Sequence, residues 1–150
     1  MDGYAAAVLS TPGGGIKQQA IIGEEQIVWD NFNLLNEFNI LRIMCGLFFI
    51  PHIIGKYTEP KALELFGSFG LNPPKLWLNI ACAIEIVLTI GLFFGILTPY
   101  VAAIAALHLA FAAFCTYRFN HKWLWHIGGC EYCVFWALAC VVVAMHAWHG

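Results

Sequence analysis

Leu76–Leu97 reads LWLNIACAIEIVLTIGLFFGIL, and this stretch decides the fold. An apolar run of about 20 residues matches a hydrocarbon core of roughly 30 Å at a rise of about 1.5 Å per residue. Glu85 falls near its centre. An ionised acid at that depth costs a few kcal/mol unless it is protonated or paired, so Glu85 is the first candidate for function.

The whole chain has the same character. Of 150 residues, 61% are hydrophobic and 11% charged, more apolar surface than a soluble core of this size absorbs. An integral membrane protein is expected. The net charge is −2, with seven Lys and Arg, so no basic stripe is available to track a phosphate backbone. Nucleic acid is not an expected partner.

Working outward, four hydrophobic stretches are long enough to span: Phe38–Ile54, Leu76–Leu97, Pro99–Phe119 and Tyr132–Trp148. Lipid cannot satisfy backbone N–H and C=O groups, so each should be helical. Thr98-Pro99 breaks the second from the third and makes them antiparallel neighbours. Between the first two spans, TEPKALELFGSFGLNPP predicts a short amphipathic helix over Glu59–Phe66, ended by Gly67 and Gly70 and lying in the interface plane. The predicted fold class is an all-α transmembrane four-helix bundle, residues 38–150, behind an extramembrane N-terminal arm, residues 1–37.

The arm opens with a Thr11-Pro12-Gly13 turn and polar residues through Asp30. It does not read as a secretory signal, because AAAVLS is too short for an apolar signal core. With Ile21, Ile22, Ile27, Val28 and Trp29 it is also too apolar for a solvated tail. An arm of this kind lies on the bilayer or packs on a neighbouring subunit. Lys56, Lys61, Lys75, Arg118 and Lys122 fall on one side of the membrane, against Lys17 and Arg42 on the other, which favours both termini outside the cytoplasm.

Residues 40–149 resemble the DoxX-like family of small membrane proteins. The resemblance rests on LRIMCGLFFIPHIIGKY, FGSFGLNPP, the Glu85-bearing IEIVLTIGLFFGILTPYVA and the GGCEYC that opens the last span. It implies a four-helix membrane bundle, in a bacterial inner membrane. The family takes its name from a subunit of a terminal quinol oxidase, and members are associated with redox and thiol systems. By this resemblance, Arg42, His52, Lys56, Glu85, Glu131 and Tyr132 occupy the characteristic positions. The long arm and the cysteines flanking Glu131 and Tyr132 depart from the family pattern.

Glu85 and Glu131 are the acids of the spans and their edges, and His52 and His108 the imidazoles well inside them. A polar column is expected, with Arg42, Lys56 or a His opposite a carboxylate. One reading is a quinone or proton site formed by Glu85, His52, Arg42 and Glu131, since a quinol gives up protons along with its electrons. The other is an ion pair that holds helices in register.

Cys45, Cys82, Cys115 and Cys140 lie among apolar neighbours and read as packing residues. Cys130 and Cys133 follow Gly128-Gly129 at an expected helix N-terminus, where a redox pair is one reading and a metal site with His126 another. Neither that trio nor the paired histidines makes a strong metal or haem signature, so no metal is expected. Trp123, Trp125, Trp136 and Trp148 read as an interfacial belt. Two functional classes follow. The first is a non-catalytic subunit of a larger membrane redox complex that packs on other subunits through its helices and arm and shapes a quinone or lipid pocket. The second is an oxidoreductase component that passes electrons between a Cys130/Cys133 dithiol and a quinone.

Overall fold

The computed structural model describes residues 30–59, 61–124 and 128–149. Among the described residues, the unit that begins at Leu34 holds six helices: α1 (Glu37–Leu47), α2 (Phe49–Thr58), α3 (Lys61–Ser68), α4 (Pro74–Phe94), α5 (Thr98–Asn120) and α6 (Glu131–His149). α1 and α2 together, α4, α5 and α6 are each long and apolar enough to cross a membrane. Most of the arm expected at 1–37 lies outside the described residues. The first span starts inside that arm at Glu37, where the Asn36 side chain caps the helix by accepting from the Phe38 N–H at 2.9 Å.

Local chemistry sets the ends. The first span is interrupted at Phe48, three residues before Pro51, whose ring crowds the Leu47 carbonyl and whose missing N–H leaves it without its helical partner. The span then continues to Thr58, four residues past the expected Ile54, and carries Lys56 inside it. α4 begins at Pro74, with Pro73 extended before it, and ends at Phe94, three residues before the expected Leu97. Gly95 takes the left-handed conformation at φ 71°, and Ile96 N–H then reaches the Gly91 carbonyl at 2.9 Å. The interfacial helix occurs two residues later than predicted, at Lys61–Ser68.

α5 and α6 form the longest seam, and α1 packs on both α4 and α6. Phe38 stacks on His146 at one end of the first and last spans, and His52 stacks on Tyr132 at the other, so these spans are antiparallel. Phe49, Leu88, Leu92, Leu109, Trp136 and Val143 fill the core, with alanines of α5 between them. Large apolar side chains such as Val87, Leu107 and Phe135 point outward, as lipid-facing positions require. Trp136 is a correction to the expected belt. It is buried, and its indole N–H donates to the Cys45 carbonyl at 3.2 Å.

Small residues set the closest approaches. A Cβ on Gly46 would stand 3.0 Å from the Leu92 Cβ and 3.2 Å from the Thr89 carbonyl oxygen, whereas one on Gly55 would meet nothing within 4 Å. Gly46→Val should therefore destabilise the bundle by about 1–3 kcal/mol through overpacking. Gly55→Ala should be neutral or stabilising by up to about 1 kcal/mol through helix propensity. Thermal unfolding in detergent measures both; equal effects would contradict the close α1–α4 approach.

Candidate functional site

Glu85 lies on the buried face of α4, in the same row as Cys82, Leu88 and Leu92. One carboxylate oxygen, Oε1, takes both of its partners: Lys56 Nζ from α2 and His108 Nε2 from α5, the latter at 3.0 Å. The Glu85 side chain is 4% exposed, against 19% for Lys56 and 16% for His108. The open side of the cluster is therefore that of its two bases. With Nε2 donating to a carboxylate, Nδ1 of a neutral His108 is left as the proton-accepting nitrogen. The second carboxylate oxygen, Oε2, is fully buried and has no hydrogen-bond partner among the described residues.

That geometry has a chemical meaning. A buried carboxylate oxygen without a donor is costly, and here it sits beside an oxygen already held by two nitrogen donors. Lys56 fixes and neutralises the carboxylate. His108 offers a second protonatable group in direct contact with it.

The remaining sequence candidates fall around this cluster unequally. His52 is not a partner of Glu85. Its ring stacks on Tyr132 with centroids 5.8 Å apart and packs on Trp136 at 5.2 Å. Phe49, fully buried, touches Trp136 on one side and faces His108 at 6.3 Å on the other. An aromatic wall thus runs from His108 through Phe49 and Trp136 to His52 and Tyr132. Arg42, buried on α1, does not meet Glu85 either. It donates to the carbonyls of Leu92 and of Phe93, the latter at 2.9 Å, which stand two helical turns, about 10 Å, along α4. Those carbonyls belong to the last turn of α4, so a guanidinium there also complements the helix dipole.

Glu131 opens α6 as its first-turn acid and is half-buried, with no ion pair among the described residues. Cys130 is buried and Cys133 half-buried, and both are free thiols. The turn before them is tight: a Cβ on Gly129 would lie 2.2 Å from the Trp123 carbonyl oxygen. The metal reading involves His126, which lies outside the described residues. Among the described residues, no group of three or more His, Cys, Asp and Glu side chains is placed to hold a metal ion. An open apolar groove of about 670 Å³ runs along the α5–α6 seam, lined by Ala106, Ala110, Ala113, Phe114, Cys130 and Leu138 among others. It contains none of the Glu85 cluster.

Residues 38–118 match the family model described as DoxX. The chain belongs to the DoxX family. No curated protein and no solved structure matches it. The DoxX match holds Arg42, His52, Lys56, Glu85 and His108, and it ends before Cys130, Glu131 and Cys133. It thus covers a multi-pass membrane protein's first three spans and the whole Glu85 cluster.

The pairing predicts an asymmetry. Lys56→Met leaves a buried carboxylate short of its cation and should cost about 3–5 kcal/mol. Glu85→Leu leaves a lysine whose long stem can carry its charge toward the span end, and should cost less. The double substitution should cost less than the sum of the two. Thermal unfolding of the four proteins in one detergent measures this, and additive losses would show that Lys56 and Glu85 are not coupled.

Proposed function

We propose that this DoxX protein is an accessory subunit of a larger redox complex in a bacterial inner membrane, and that its Glu85 cluster receives the hydroxylated head of a quinol. The observation that carries this reading is the buried, partnerless Oε2 of Glu85 beside an Oε1 held by Lys56 and His108. A phenolic O–H supplies the donor that Oε2 lacks. When the quinol is oxidised its proton passes to the carboxylate, and His108 at 3.0 Å is the next acceptor. Electrons have no carrier among the residues of this cluster and would leave through a partner subunit. The apolar outer faces of the spans are compatible with packing on partner helices, and the bilayer delivers a quinol to the side where Lys56 and His108 are open.

A second reading, a dithiol oxidoreductase, is favoured by one observation. Cys133 follows Tyr132 on α6, and the Tyr132 ring lies on His52, which stands one turn from Lys56 on α2. In that reading Cys130 and Cys133 close to a disulfide and hand two electrons and two protons to the quinone at Glu85.

Glu85→Gln tests the quinol site. A neutral amide cannot both hold Lys56 and accept from a ligand hydroxyl as a carboxylate does, and loss of a charged hydrogen bond weakens binding roughly ten- to hundredfold. The protein purified in mild detergent from its own membrane should carry quinone and redox subunits. The Glu85→Gln form should keep the subunits and lose the quinone, as read by subunit mass spectrometry and solvent extraction. A wild-type protein that purifies alone and free of quinone would overturn the reading. If Cys130→Ser abolished turnover in an assembled complex, the dithiol reading would replace it.

A further inference from the structure

The open groove along the α5–α6 seam takes no part in the Glu85 cluster, and both its shape and its charged end describe a ligand. It runs from Tyr117 and Cys130 at one end to Ala144 and Met145 at the other, a length of about 21 Å at a rise of about 1.5 Å per residue. Spread over that length, about 670 Å³ is a cross-section of about 30 Å². A helix about 10 Å across needs about 80 Å², so the groove is too slender for a helix and suits a hydrocarbon chain. Buried Ala106, Ala113 and Ala137 keep its floor low, and exposed Leu107, Phe114 and Leu138 stand along it. Charge flanks it at the Tyr117–Cys130 end. Arg118 follows Phe114 by one turn of α5, and Glu131 precedes Val134 by one turn at the start of α6. Arg118 is exposed and Glu131 half-buried, and no ion pair joins them among the described residues. They stand at adjoining ends of two membrane-crossing helices, at the level of the lipid headgroups.

We propose that the groove holds one acyl chain of a phosphatidylethanolamine, whose phosphate lies on Arg118 and whose ammonium lies on Glu131. The guanidinium fork matches phosphate oxygens, and a primary ammonium brings N–H donors to the carboxylate. A cation and an anion on either side of the groove mouth complement a headgroup that carries both signs. A purely anionic headgroup would set a like charge against Glu131, and a trimethylammonium headgroup has no N–H to donate to it. Along the groove the lining is apolar, so the chain gains dispersion contacts that mobile bilayer lipid makes less well. A lipid seated there braces the longest seam of the bundle from outside. This proposal does not depend on a quinol binding at Glu85.

The experiment uses the full-length protein in mild detergent, washed free of lipid and offered an equimolar mixture of phosphatidylethanolamine, phosphatidylglycerol and phosphatidylcholine with identical chains. Native mass spectrometry reads which lipid the protein retains. The expected species carries one phosphatidylethanolamine, favoured over each of the other two about tenfold, as one charged hydrogen bond allows. Arg118→Gln should lower retention of all three about tenfold, and Glu131→Gln should erase the preference over phosphatidylglycerol. Ala110→Phe, which fills the groove from an exposed position, should remove the bound lipid altogether. Should that variant fail to fold, Ala103→Phe, on another exposed alanine of the groove, takes its place. Equal retention of the three lipids, or retention unchanged by the groove variant, would show an adventitious lipid only and overturn the proposal. So would a preference for phosphatidylglycerol, which Arg118 and the exposed Lys122 can hold without Glu131. A wild-type dimer that the groove variant splits would give the groove to a second copy of the chain and likewise overturn it.

Discussion

The carboxylate of Glu85 has to be met by nitrogen donors from other helices, and those donors come from α2 and α5. This contact orients much of the bundle. Apolar faces give helices in lipid little reason to choose one rotation over another, because lipid tails replace a lost side-chain contact with one of similar quality. A buried charge is less tolerant. Hydrogen bonds weaken steeply outside a narrow range of distance and angle, so α2, α4 and α5 must hold their relative depth and rotation to a fraction of a helical turn. Polar contact supplies the register, and apolar packing around it supplies most of the stability.

A related constraint governs the end of α4. A helix end leaves its last carbonyls in need of partners, and at the end of α4 the one that reaches them is a buried arginine. Gly95 turns the chain so that Ile96 serves the Gly91 carbonyl, and Arg42 serves the next two from the neighbouring span. The close approach at Gly46 brings α1 near enough for the arginine to reach. One glycine, one left-handed residue and one guanidinium thus close a helix end that would otherwise be costly.

Four spans are legible in length and hydropathy, and so is the burial of Glu85, because an acid at mid-run has few other places to go. Composition narrows its partners to Arg42, Lys56 or a histidine. Choosing Lys56 and His108 requires knowing which helices are adjacent, and hydropathy is silent on that. Arg42, expected opposite a carboxylate, instead finds backbone carbonyls, which are invisible in an inventory of side chains. Nearness to a span end places Trp136 in the interfacial belt. The signal against that is its spacing, since Trp136, Cys140 and Val143 recur at four and three residues and fall on one buried face.

The Glu85 cluster is separated from the start of α6 by a wall of rings. Phe49 stands between His108 and Trp136, and His52 and Tyr132 continue the wall toward the start of α6. Flat rings in van der Waals contact pass on displacement well and transmit protons not at all, as only the edges of His, Tyr and Trp carry exchangeable hydrogens. The family match ends at residue 118, on the acid side of this wall. The Glu85 cluster is thus complete within the part of the chain that matches DoxX. Cys133 and Cys140 stand on the one span beyond it, and Cys130 immediately precedes that span.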